Sequence, residues 1–500
     1  MKNNYIIYLI SFFSGFLSLG QEIIWMRLIS FAGMSVPQTF SYTLALFLLG
    51  ISVGAQIGKS ICRRRKNIQV SILGNIFILA VLVDILIIGS VYIFSKLFGI
   101  SILFLGLCVL ICAGIRGIIF PLIHHIGTTQ TKTGSQISNV YFSNVFGSAL
   151  APILISFIAL DYLSTQQVYL FICFLTSIIS ILCLDFGKLK IISIALSIST
   201  FFLILIPEKI FHELSKKSWS DNQYPSQILE NKHGFIQIYS DGEDHVVFGA
   251  NVYDGKFNTN IFHNTNGIDR AYLLTSIKPD AKNVLVIGLS TGSWAKVLST
   301  MPNIEKMTII EINPAYVELI KLNPMVADLL KDKRVEIIFD DGRKWLRTYQ
   351  DQKFDMVLMN TTWHWRAYTS NLLSQGFIKI INNALDKDGV LFYNTTESLD
   401  AYYTAKQEFP YIYKYKYFIL ASNREININL NKVQANLCNL KDHLTQKNIF
   451  VGAECLLAAN EIMKNPLLPY DAIDFSGLGR ELEVITDDNM ITEYKYGKGL

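Results

Sequence analysis

The first 210 residues are dominated by apolar stretches that recur at short intervals, and no other feature constrains the fold as strongly. Stretches of about 20 apolar residues can cross a bilayer as helices. A cleaved signal peptide does not fit, because apolar segments keep recurring and no small-residue cleavage site stands out. The sequence therefore predicts a polytopic helical membrane domain, with spans at roughly 5–31, 38–58, 68–94, 99–123, 137–160, 166–184 and 190–207.

Composition changes sharply near residue 210. Residues 1–210 contain 13 of the 44 lysines and arginines and 5 of the 40 aspartates and glutamates, so this part carries a net charge of +8 and the remainder −4. No basic patch with interleaved aromatic residues indicates a nucleic-acid partner. A chain of 500 residues is also expected to form more than one domain. We predict a membrane domain over 1–210, a linker over 211–232, a small β unit over 233–280 and an α/β domain over 281–500.

Basic residues indicate the membrane sidedness of the loops, since lysine and arginine favour the cytoplasmic side. The strongest marker is Arg63-Arg64-Arg65-Lys66 after the second span, which places the amino terminus in the cytoplasm as well. Lys132 and the pair Lys188 and Lys190 fall on the same side if the spans alternate. Seven spans would place the carboxy-terminal domain outside, whereas six would keep it in the cytoplasm, and both arrangements stay open.

Several ionisable residues fall inside predicted spans, where charges are costly. They are Glu22, Arg27, Asp84 and Arg116. Two interpretations are open, namely ion pairing between helices and a polar path or lipid-facing substrate site. Glycines recur about one helical turn apart in "LLGISVGAQIG", which predicts close helix contacts rather than a nucleotide-binding loop.

The 7 cysteines are spread along the chain without a CxxC pair. Cys108 and Cys112 lie about one helical turn apart inside an apolar run, a spacing typical of helix packing. We therefore expect neither a disulfide framework nor a metal site.

From residue 283 onward, predicted strands and helices alternate, which is typical of a parallel sheet covered by helices. The predicted strands are "NVLVIGL", "KMTIIEI", "RVEIIF", "FDMVLMN" and "GVLFYN". A later pair, "YKYFILA" and "ININL", is expected to add an antiparallel edge. Upstream, residues 233–262 alternate in polarity and contain the turn signals "SDGED" and "YDGKF", which predicts a short antiparallel β unit.

Three successive strand ends carry residues suited to binding a nucleoside. The first strand runs into a Gly288–Gly292 loop ahead of a helix, and small residues there let the backbone approach a ligand. The second strand ends in Glu311, whose carboxylate can accept hydrogen bonds from ribose hydroxyls. The third ends in Asp341 and Gly342, where the aspartate can accept a bond from an adenine amino group.

The same residues also have a purely structural interpretation, in which the glycines form a tight turn and the acids cap helices. A nicotinamide site needs similar parts, but the Gly288-x-x-x-Gly292 spacing and the Asp341-Gly342 step suit an S-adenosyl ligand better. No Walker lysine is present, which argues against a nucleoside triphosphate. We therefore expect a Rossmann-like α/β domain of the class I methyltransferase type.

Taken in order, "NVLVIGLSTGSWAKVL", "IIEINP", "DDGRKWL" and "FDMVLMN" resemble the spermidine synthase (polyamine aminopropyltransferase) family. The β unit with "YDGKF" and "IDRAY" looks like that family's amino-terminal domain. The stretches "SGFLSLGQEIIWMRLISFAG" and "YFSNVFGSALAP" look like the membrane domain of its fused bacterial members. The resemblance implies decarboxylated S-adenosylmethionine as donor, an amine as acceptor and methylthioadenosine as by-product. It also implies a multi-pass protein of the bacterial inner (cell) membrane, no metal and a possible homodimer.

The resemblance assigns roles to individual positions. The positions that match the family's donor site are Gly288, Ser290, Gly292, Glu311, Asp341 and Gly342. Glu311 matches the ribose-binding acid and Asp341 the adenine contact, whereas Ser290 stands where the family usually has a glycine. Asp254 and Tyr272 fall near positions that line the family's active site.

The largest departure from the family lies at the end of the fourth strand. Asn360 stands where the family has an aspartate that holds and helps deprotonate the attacking amine. Asparagine can accept a hydrogen bond but cannot act as a base near neutral pH. His364, which titrates near neutrality, is a candidate replacement base, although a surface role is equally in keeping with its position. Trp363 and Trp365 can stack on a ligand or simply pack.

Two functions remain open at this point. The first is a membrane-bound transferase with an S-adenosyl donor, S-adenosylmethionine or its decarboxylated form, and a small-molecule acceptor other than a standard polyamine; a methyltransferase belongs to the same class. The second is a catalytically inactive nucleotide-sensing module fused to a transporter-like membrane domain. The tail acids Asp487, Asp488 and Glu493 could return to the cleft and hold a cation or form a solvated, capped turn.

Overall fold

A computed structural model describes residues 2–64, 68–128, 133–217, 224–242, 244–360 and 362–500. The chain divides into two compact units, Met1–Phe235 with Leu500, and Ile236–Gly499. This division lies later than the composition change near 210, because a short helix and a strand after that point belong to the first unit. Arg65, Lys66, Lys132, Thr361, Glu243 of the "SDGED" turn and part of the linker, 218–223, lie outside the described residues.

The first unit is a bundle of long helices. They are α1 (Lys2–Ala32), α2 (Gln38–Arg64), α3 (Val70–Phe98), α4 (Ile102–Gly127), α5 (Thr133–Leu154), α6 (Leu160–Tyr162), α7 (Thr165–Cys183), α8 (Lys188–Ile204) and α9 (Ile210–Leu214), followed by strand β1 (Gln227–Asn231). A π-helical turn, Ile155–Ala159, joins α5 to α6. By length and composition, 6 helices in the described chain can cross a membrane, with α5 and α6 forming a single span. The prediction of a polytopic helical domain is confirmed at this level.

Helix α8, which matches the seventh predicted span, has 17 residues and runs back along α7. Gln167 Nε2, at the start of α7, donates to Ile204 O at the end of α8, over 3.3 Å. Near the other end, the Ser180 and Ser193 hydroxyls are hydrogen-bonded. The two helices therefore form an antiparallel hairpin, and α8 is not among the 6 candidate spans of the described chain.

The segment that follows the helices returns to one end of the bundle. Glu230 Oε1 accepts from Thr165 N over 2.7 Å, and Lys232 Nζ lies 2.7 Å from Asp161 Oδ2. The Leu500 side chain lies against Gly33, in the turn between α1 and α2. These contacts lie at the end of the bundle where α2 begins, opposite the end that carries Arg64.

Of the four ionisable residues in the predicted spans, Asp84 and Arg116 pair between helices, as the ion-pairing interpretation predicted. Arg116 Nη2 lies 2.8 Å from Asp84 Oδ2, and both side chains are buried between α3 and α4. Gln21 Nε2 donates to Asp84 Oδ1 over 2.8 Å. Arg27 Nη2 lies 3.4 Å from Glu230 Oε1 at the end of the bundle. Gly54 packs directly on the backbone of α4, which confirms the predicted close helix contact.

The second unit contains the remaining strands and helices. The strands are β2 (Gly234–Asp241), β3 (Asp244–Gly249), β4 (Val252–Lys256), β5 (Asn283–Ile287), β6 (Lys306–Glu311), β7 (Val335–Phe339), β8 (Phe354–Met359), β9 (Leu385–Asn394), β10 (Tyr411–Tyr415), β11 (Phe418–Ser422) and β12 (Leu468–Pro469). The helices are α10 (Asp269–Ile277), α11 (Ser293–Leu298), α12 (Ala315–Leu322), α13 (Gly342–Thr348), α14 (Ser370–Leu373), α15 (Gln375–Ala384), α16 (Asp400–Lys406), α17 (Leu430–Cys438) and α18 (Ala453–Met463).

Strands β5 to β12 form one sheet, in the order β12-β10-β11-β9-β8-β5-β6-β7. Neighbours from β7 to β9 are parallel, whereas β11, β10 and β12 add an antiparallel edge. β5 is buried along its whole length, as expected for a central strand covered on both faces. The five predicted strands and the Rossmann-like fold are confirmed. Strands β2, β3 and β4 pair antiparallel as the predicted β unit.

Three local predictions are wrong. "ININL" forms no strand, because Asn429 caps α17, and the antiparallel pair β10 and β11 is drawn from Tyr411–Ser422. "YDGKF" lies largely within β4, and the chain turns instead at Ala250 and Asn251, which both have positive φ. Cys438 and Cys455 form a disulfide, since α17 packs on α18 and brings the two Cα atoms to 5.4 Å.

Candidate active site

A crevice opens where the parallel strands end. Gly288, Glu311 and Asn360 lie at the ends of β5, β6 and β8, and Asp341 lies just beyond β7. β5 has β6 on one side and β8 on the other, so the order of the strands reverses at this point. Ligands in open α/β sheets bind outside the carboxyl ends of the strands at such a reversal.

One cavity of about 220 Å³, the glycine-loop cavity, collects most of the predicted donor-binding residues. Its lining includes Gly288, Ser290, Glu311, Asp341 and Gly342, together with Asp254, Tyr316, Asp340, Asn360 and Arg366. Of the predicted set, only Gly292 is not in this lining. Gly292 has φ +73° at the start of α11, and its Cα faces Ile320, so it shapes the turn rather than the cavity wall.

Glu311 is fixed by two backbone amides. Its Oε2 accepts from Leu289 N and its Oε1 from Asn313 N, both over 2.8 Å. The side chain is only 4% exposed, and burial raises its pKa from 4.5 to about 7 despite these bonds. The carboxyl group is therefore oriented before any ligand binds, and its charge changes near neutral pH.

Asp341 caps a helix and also lines the glycine-loop cavity. Its Oδ1 accepts from Lys344 N over 2.7 Å and caps α13, while the residue also lines the glycine-loop cavity. The neighbouring Asp340 accepts from Asp341 N over 2.8 Å and lies 2.8 Å from Lys344 Nζ. Capping and ligand contact are compatible, because a carboxylate has lone pairs on both oxygens.

A second cavity of about 250 Å³, the Arg270 cavity, adjoins the first. It is lined by Tyr253, Asp254, Thr265, Asn266, Gly267, Arg270, Trp294, Asn360, Thr362, Trp363, Asn394, Thr396, Glu397 and Tyr417. Asp254, Asn360 and Thr362 line both cavities. The two cavities therefore share a wall, and a group transferred between ligands in them would pass Asp254 and Asn360.

Asp254 is held at this shared wall from two sides. Its Oδ2 accepts from the Tyr316 hydroxyl over 2.6 Å, and its main-chain oxygen accepts from Ser290 Oγ over 3.2 Å. Burial raises the pKa of the Asp254 carboxyl, while the bond from Tyr316 and the charge of Arg366 act in the opposite direction. The predicted substrate-binding residue thus lies next to the glycine loop.

Asn360 occupies the position predicted from the sequence. Its Oδ1 accepts from Asn394 Nδ2 over 3.2 Å, and the residue lines both cavities. A side-chain amide can orient a ligand but does not take up a proton near neutral pH.

The other two predicted catalytic residues lie elsewhere. His364 Nδ1 is 2.7 Å from Thr396 O, and because a carbonyl only accepts, Nδ1 carries the proton. Burial lowers the pKa of this imidazole, and His364 does not line either cavity. Tyr272 is buried, donates to Thr259 O over 3.1 Å and faces a separate cavity beside Phe450.

The two tryptophans differ in position. Trp363 lines the Arg270 cavity, whereas Trp365 does not, and their rings stack with centroids 6.2 Å apart. The tail acids fasten the chain end instead of entering either cavity. Asp487 Oδ1 accepts from Arg343 Nη1 over 2.6 Å, which lowers its pKa to about 2, and Glu493 Oε1 accepts from Ser370 N over 2.8 Å.

Sequence reasoning missed three residues that shape the two cavities. Arg270 and Arg366 each line one of them, and Tyr316 holds Asp254. The available signal was a lone arginine in each of two aromatic stretches, "IDRAY" and "WHWRAY". Arginine favours such neighbours because its planar guanidinium stacks on aromatic rings.

Residues 272–414 match the family model of the spermine/spermidine synthase domain. A polyamine aminopropyltransferase from Agathobacter rectalis is 30% identical over 119 residues, which are 24% of this chain and 41% of that protein. One from Lachnospira eligens is 34% identical over the same shares of both chains. The crystal structure of a spermidine synthase from Thermotoga maritima aligns at 17% identity over 45% of this chain and 80% of that one, with a TM-score of 0.34. The chain thus spans less than half the length of these curated relatives.

Proposed function

We propose, on the premise that the carboxy-terminal part of this chain belongs to the spermidine synthase family, that the protein is a membrane-bound transferase. Its donor would be an S-adenosyl compound, either S-adenosylmethionine or its decarboxylated form, and its acceptor would not be a standard polyamine. The observation that carries the proposal is the glycine-loop cavity, in which Gly288, Glu311 and Asp341 meet from three strand ends.

The residues of the glycine-loop cavity supply what such a donor needs. Gly288 lines the cavity with φ +90°, a conformation that glycine adopts without strain, so its backbone itself faces a ligand there. Glu311 offers fixed carboxylate oxygens to ribose hydroxyls. Asp340 and Asp341 offer acceptors to an exocyclic amino group.

The shared wall between the cavities is where the transfer would take place. An acceptor nitrogen would attack the carbon bonded to the donor sulfonium, and the electron pair of the broken carbon–sulfur bond would stay on sulfur. Asn360 can orient the nitrogen but cannot take its proton. Asp254, with a raised pKa, is placed to take that proton because it lines both cavities.

We place the protein in a cell membrane, as a multi-pass protein of the bacterial inner membrane. This proposal is supported by the long apolar helices of the first unit. The bilayer would then be a permanent partner.

A catalytically inactive, nucleotide-sensing module remains a second candidate, and Asn360 is the observation that favours it. Without a carboxylate at that strand end, the site keeps its donor contacts but loses the base expected of the family. Binding without turnover would be the signature of such a module.

Calorimetry on the full chain in detergent tests the proposal. We expect S-adenosyl compounds and methylthioadenosine to bind, and Glu311→Gln to weaken binding at least tenfold. Glu305→Gln is the matched control, because Glu305 lies at the other end of the same strand in an exposed ion pair with Lys282. A folded protein that binds none of these ligands contradicts the donor site, whereas binding without release of methylthioadenosine favours the sensor.

A further inference from the structure

Arg270 is held rigidly at the wall of the second cavity. Its guanidinium carbon lies 4.9 Å from the ring centre of Trp294 and 4.8 Å from that of Phe418. Its Nε donates to Gly267 O over 3.0 Å. Trp294 and Phe418 stack on each other with ring centroids 5.1 Å apart, and the Arg270 guanidinium lies beside this stacked pair, in cation–π distance of both rings.

The edge of this guanidinium has unused donors. Within the described chain, the terminal nitrogens of Arg270 make neither a hydrogen bond nor an ion pair. Asn266, which lines the same cavity, is only 7% exposed, and its Nδ2 has no hydrogen-bond partner among the described residues. Its Oδ1 accepts from Lys256 N over 3.0 Å, so the amide orientation is set. Buried donors are nearly always satisfied, which indicates a ligand with acceptor oxygens.

Another part of the lining of the same cavity carries an acidic side chain and an amide. Asp254 and Asn360 lie where the cavity meets the glycine-loop cavity. A carboxylate with an amide beside it suits an amine. Glu397 also lines the cavity, but its side chain is exposed and its charge is therefore screened by water.

We propose that the Arg270 cavity binds a small zwitterionic amine, with its carboxylate on Arg270 and Asn266 and its amino group at Asp254 and Asn360. This inference rests on the proposed function, and it identifies the class of the acceptor as an amino acid rather than a diamine. A diamine would place its second ammonium group beside the Arg270 guanidinium, where like charges repel in a partly desolvated site.

With these residues, the proton, the bonds and the electron pair of the transfer are all accounted for. The acceptor amine loses one proton to the Asp254 carboxylate, its nitrogen forms the new bond to carbon, and the carbon–sulfur bond of the donor breaks. The sulfonium becomes a neutral thioether by keeping the electron pair. The acceptor carboxylate takes no part in the reaction and serves only to hold the amine in place.

The test uses the purified full chain with saturating methylthioadenosine and two probes matched in carbon number, γ-aminobutyrate and putrescine. We expect γ-aminobutyrate to bind at least tenfold more tightly by calorimetry. Arg270→Gln should abolish this preference, and Arg270→Lys should keep part of it. Arg424→Gln is the control, because Arg424 forms an exposed ion pair with Asp388 away from the cavity.

A second variant and a second measurement distinguish loss of the binding contact from misfolding of the Arg270→Gln protein. Asn266→Asp replaces the unpartnered donor with a carboxylate and should weaken γ-aminobutyrate binding at least tenfold. Because Trp294 stacks on Arg270, γ-aminobutyrate should change tryptophan fluorescence in the wild type without nucleoside and leave Arg270→Gln unchanged.

The outcomes separate the two proposals. Tighter binding of putrescine, or unchanged γ-aminobutyrate binding in both variants, overturns the zwitterion inference even if methylthioadenosine binds normally. Failure of methylthioadenosine to bind the folded wild type overturns the proposed function instead. In that case, a fluorescence response that depends on Arg270 would still support the anion contact.

Discussion

The Tyr316 hydroxyl donates a 2.6 Å hydrogen bond to Asp254 Oδ2, and this bond joins helix α12 to strand β4 beside the glycine loop. Within the described chain, Asp254 is the only carboxylate that lines both cavities. With an amide at position 360, the proton transfer that we propose at this site would depend on Asp254 and on the group that orients it.

Removing the Asp254 carboxylate tests this dependence. Asp254→Asn should lower the rate of methylthioadenosine release at least a hundredfold, within the range usual for loss of an acid–base group, and change donor affinity by less than threefold. Tyr316→Phe should lower this rate less, by roughly tenfold or below, because the Asp254 carboxylate remains. Equal loss of donor binding and turnover in Asp254→Asn would contradict a role in proton transfer.

Restoring a carboxylate at position 360 tests the origin of the acceptor preference. Asn360→Asp should increase the binding of putrescine, because a second negative charge at the shared wall attracts a polycation. Asn360→Leu is the control, since it removes the amide without adding charge. The measurement is product analysis with γ-aminobutyrate and with putrescine as acceptors. If Asn360→Asp shows no gain with putrescine, residues other than Asn360 exclude putrescine.

The pH dependence of donor binding should follow Glu311. Its pKa is raised from 4.5 to about 7 by burial, so the carboxylate that we propose as the acceptor for ribose hydroxyls becomes fully available only above neutrality. Donor affinity should therefore rise between pH 6 and pH 8 in the wild type and stay flat in Glu311→Gln. A flat wild-type profile would contradict the assignment.

The stability of the ligand-free protein should show the opposite trend. A raised folded pKa contributes stability that is present below the unfolded value and is lost as pH rises through the folded value. For Glu311 this amounts to about 3 kcal/mol between pH 4.5 and pH 8. Thermal unfolding of the wild type relative to Glu311→Gln, measured across this range, checks the sign.

The disulfide between Cys438 and Cys455 should stabilise the second unit. Closing a loop of this length, with a sequence separation of 17, is worth about 3 kcal/mol in the chain-entropy model. Cys438→Ser should therefore lower the free energy of unfolding by about that amount. Cys62→Ser is the control, because Cys62 is a free thiol. Thiol counting on protein taken directly from cells would show whether the compartment keeps the bond oxidised.

The contacts of the first unit predict the sidedness of the carboxyl terminus. Leu500 lies against Gly33, at the end of the bundle opposite Arg64. Since basic clusters favour the cytoplasm, alkaline phosphatase fused after Leu500 should be active, whereas a fusion after residue 66 should be inactive. The reverse pattern would contradict this orientation.

Local sequence patterns were sufficient to predict much of the architecture. Apolar length predicted the membrane helices, and alternating strand and helix periods predicted the parallel sheet, because both signals are carried by neighbouring residues. In a parallel sheet all strands end at one edge, so Gly288, Glu311, Asp341 and Asn360 could be assigned to one crevice from their positions in the sequence.

Tertiary structure decided the features that need elements distant in the chain. Arg270 gains its cation–π contacts only when Trp294 of α11 and Phe418 of β11 stack on each other beside it. Asp254 becomes the shared carboxylate only when β4 meets α12. His364 Nδ1 is hydrogen-bonded to Thr396 O, and Cys438 forms a disulfide with Cys455. Both bonds depend on contacts between elements that are separate in the chain. The sequence by itself determined which elements form and where their polar ends lie, because these depend on local periodicity. Which side chains meet was decided by long-range packing, which no local pattern encodes.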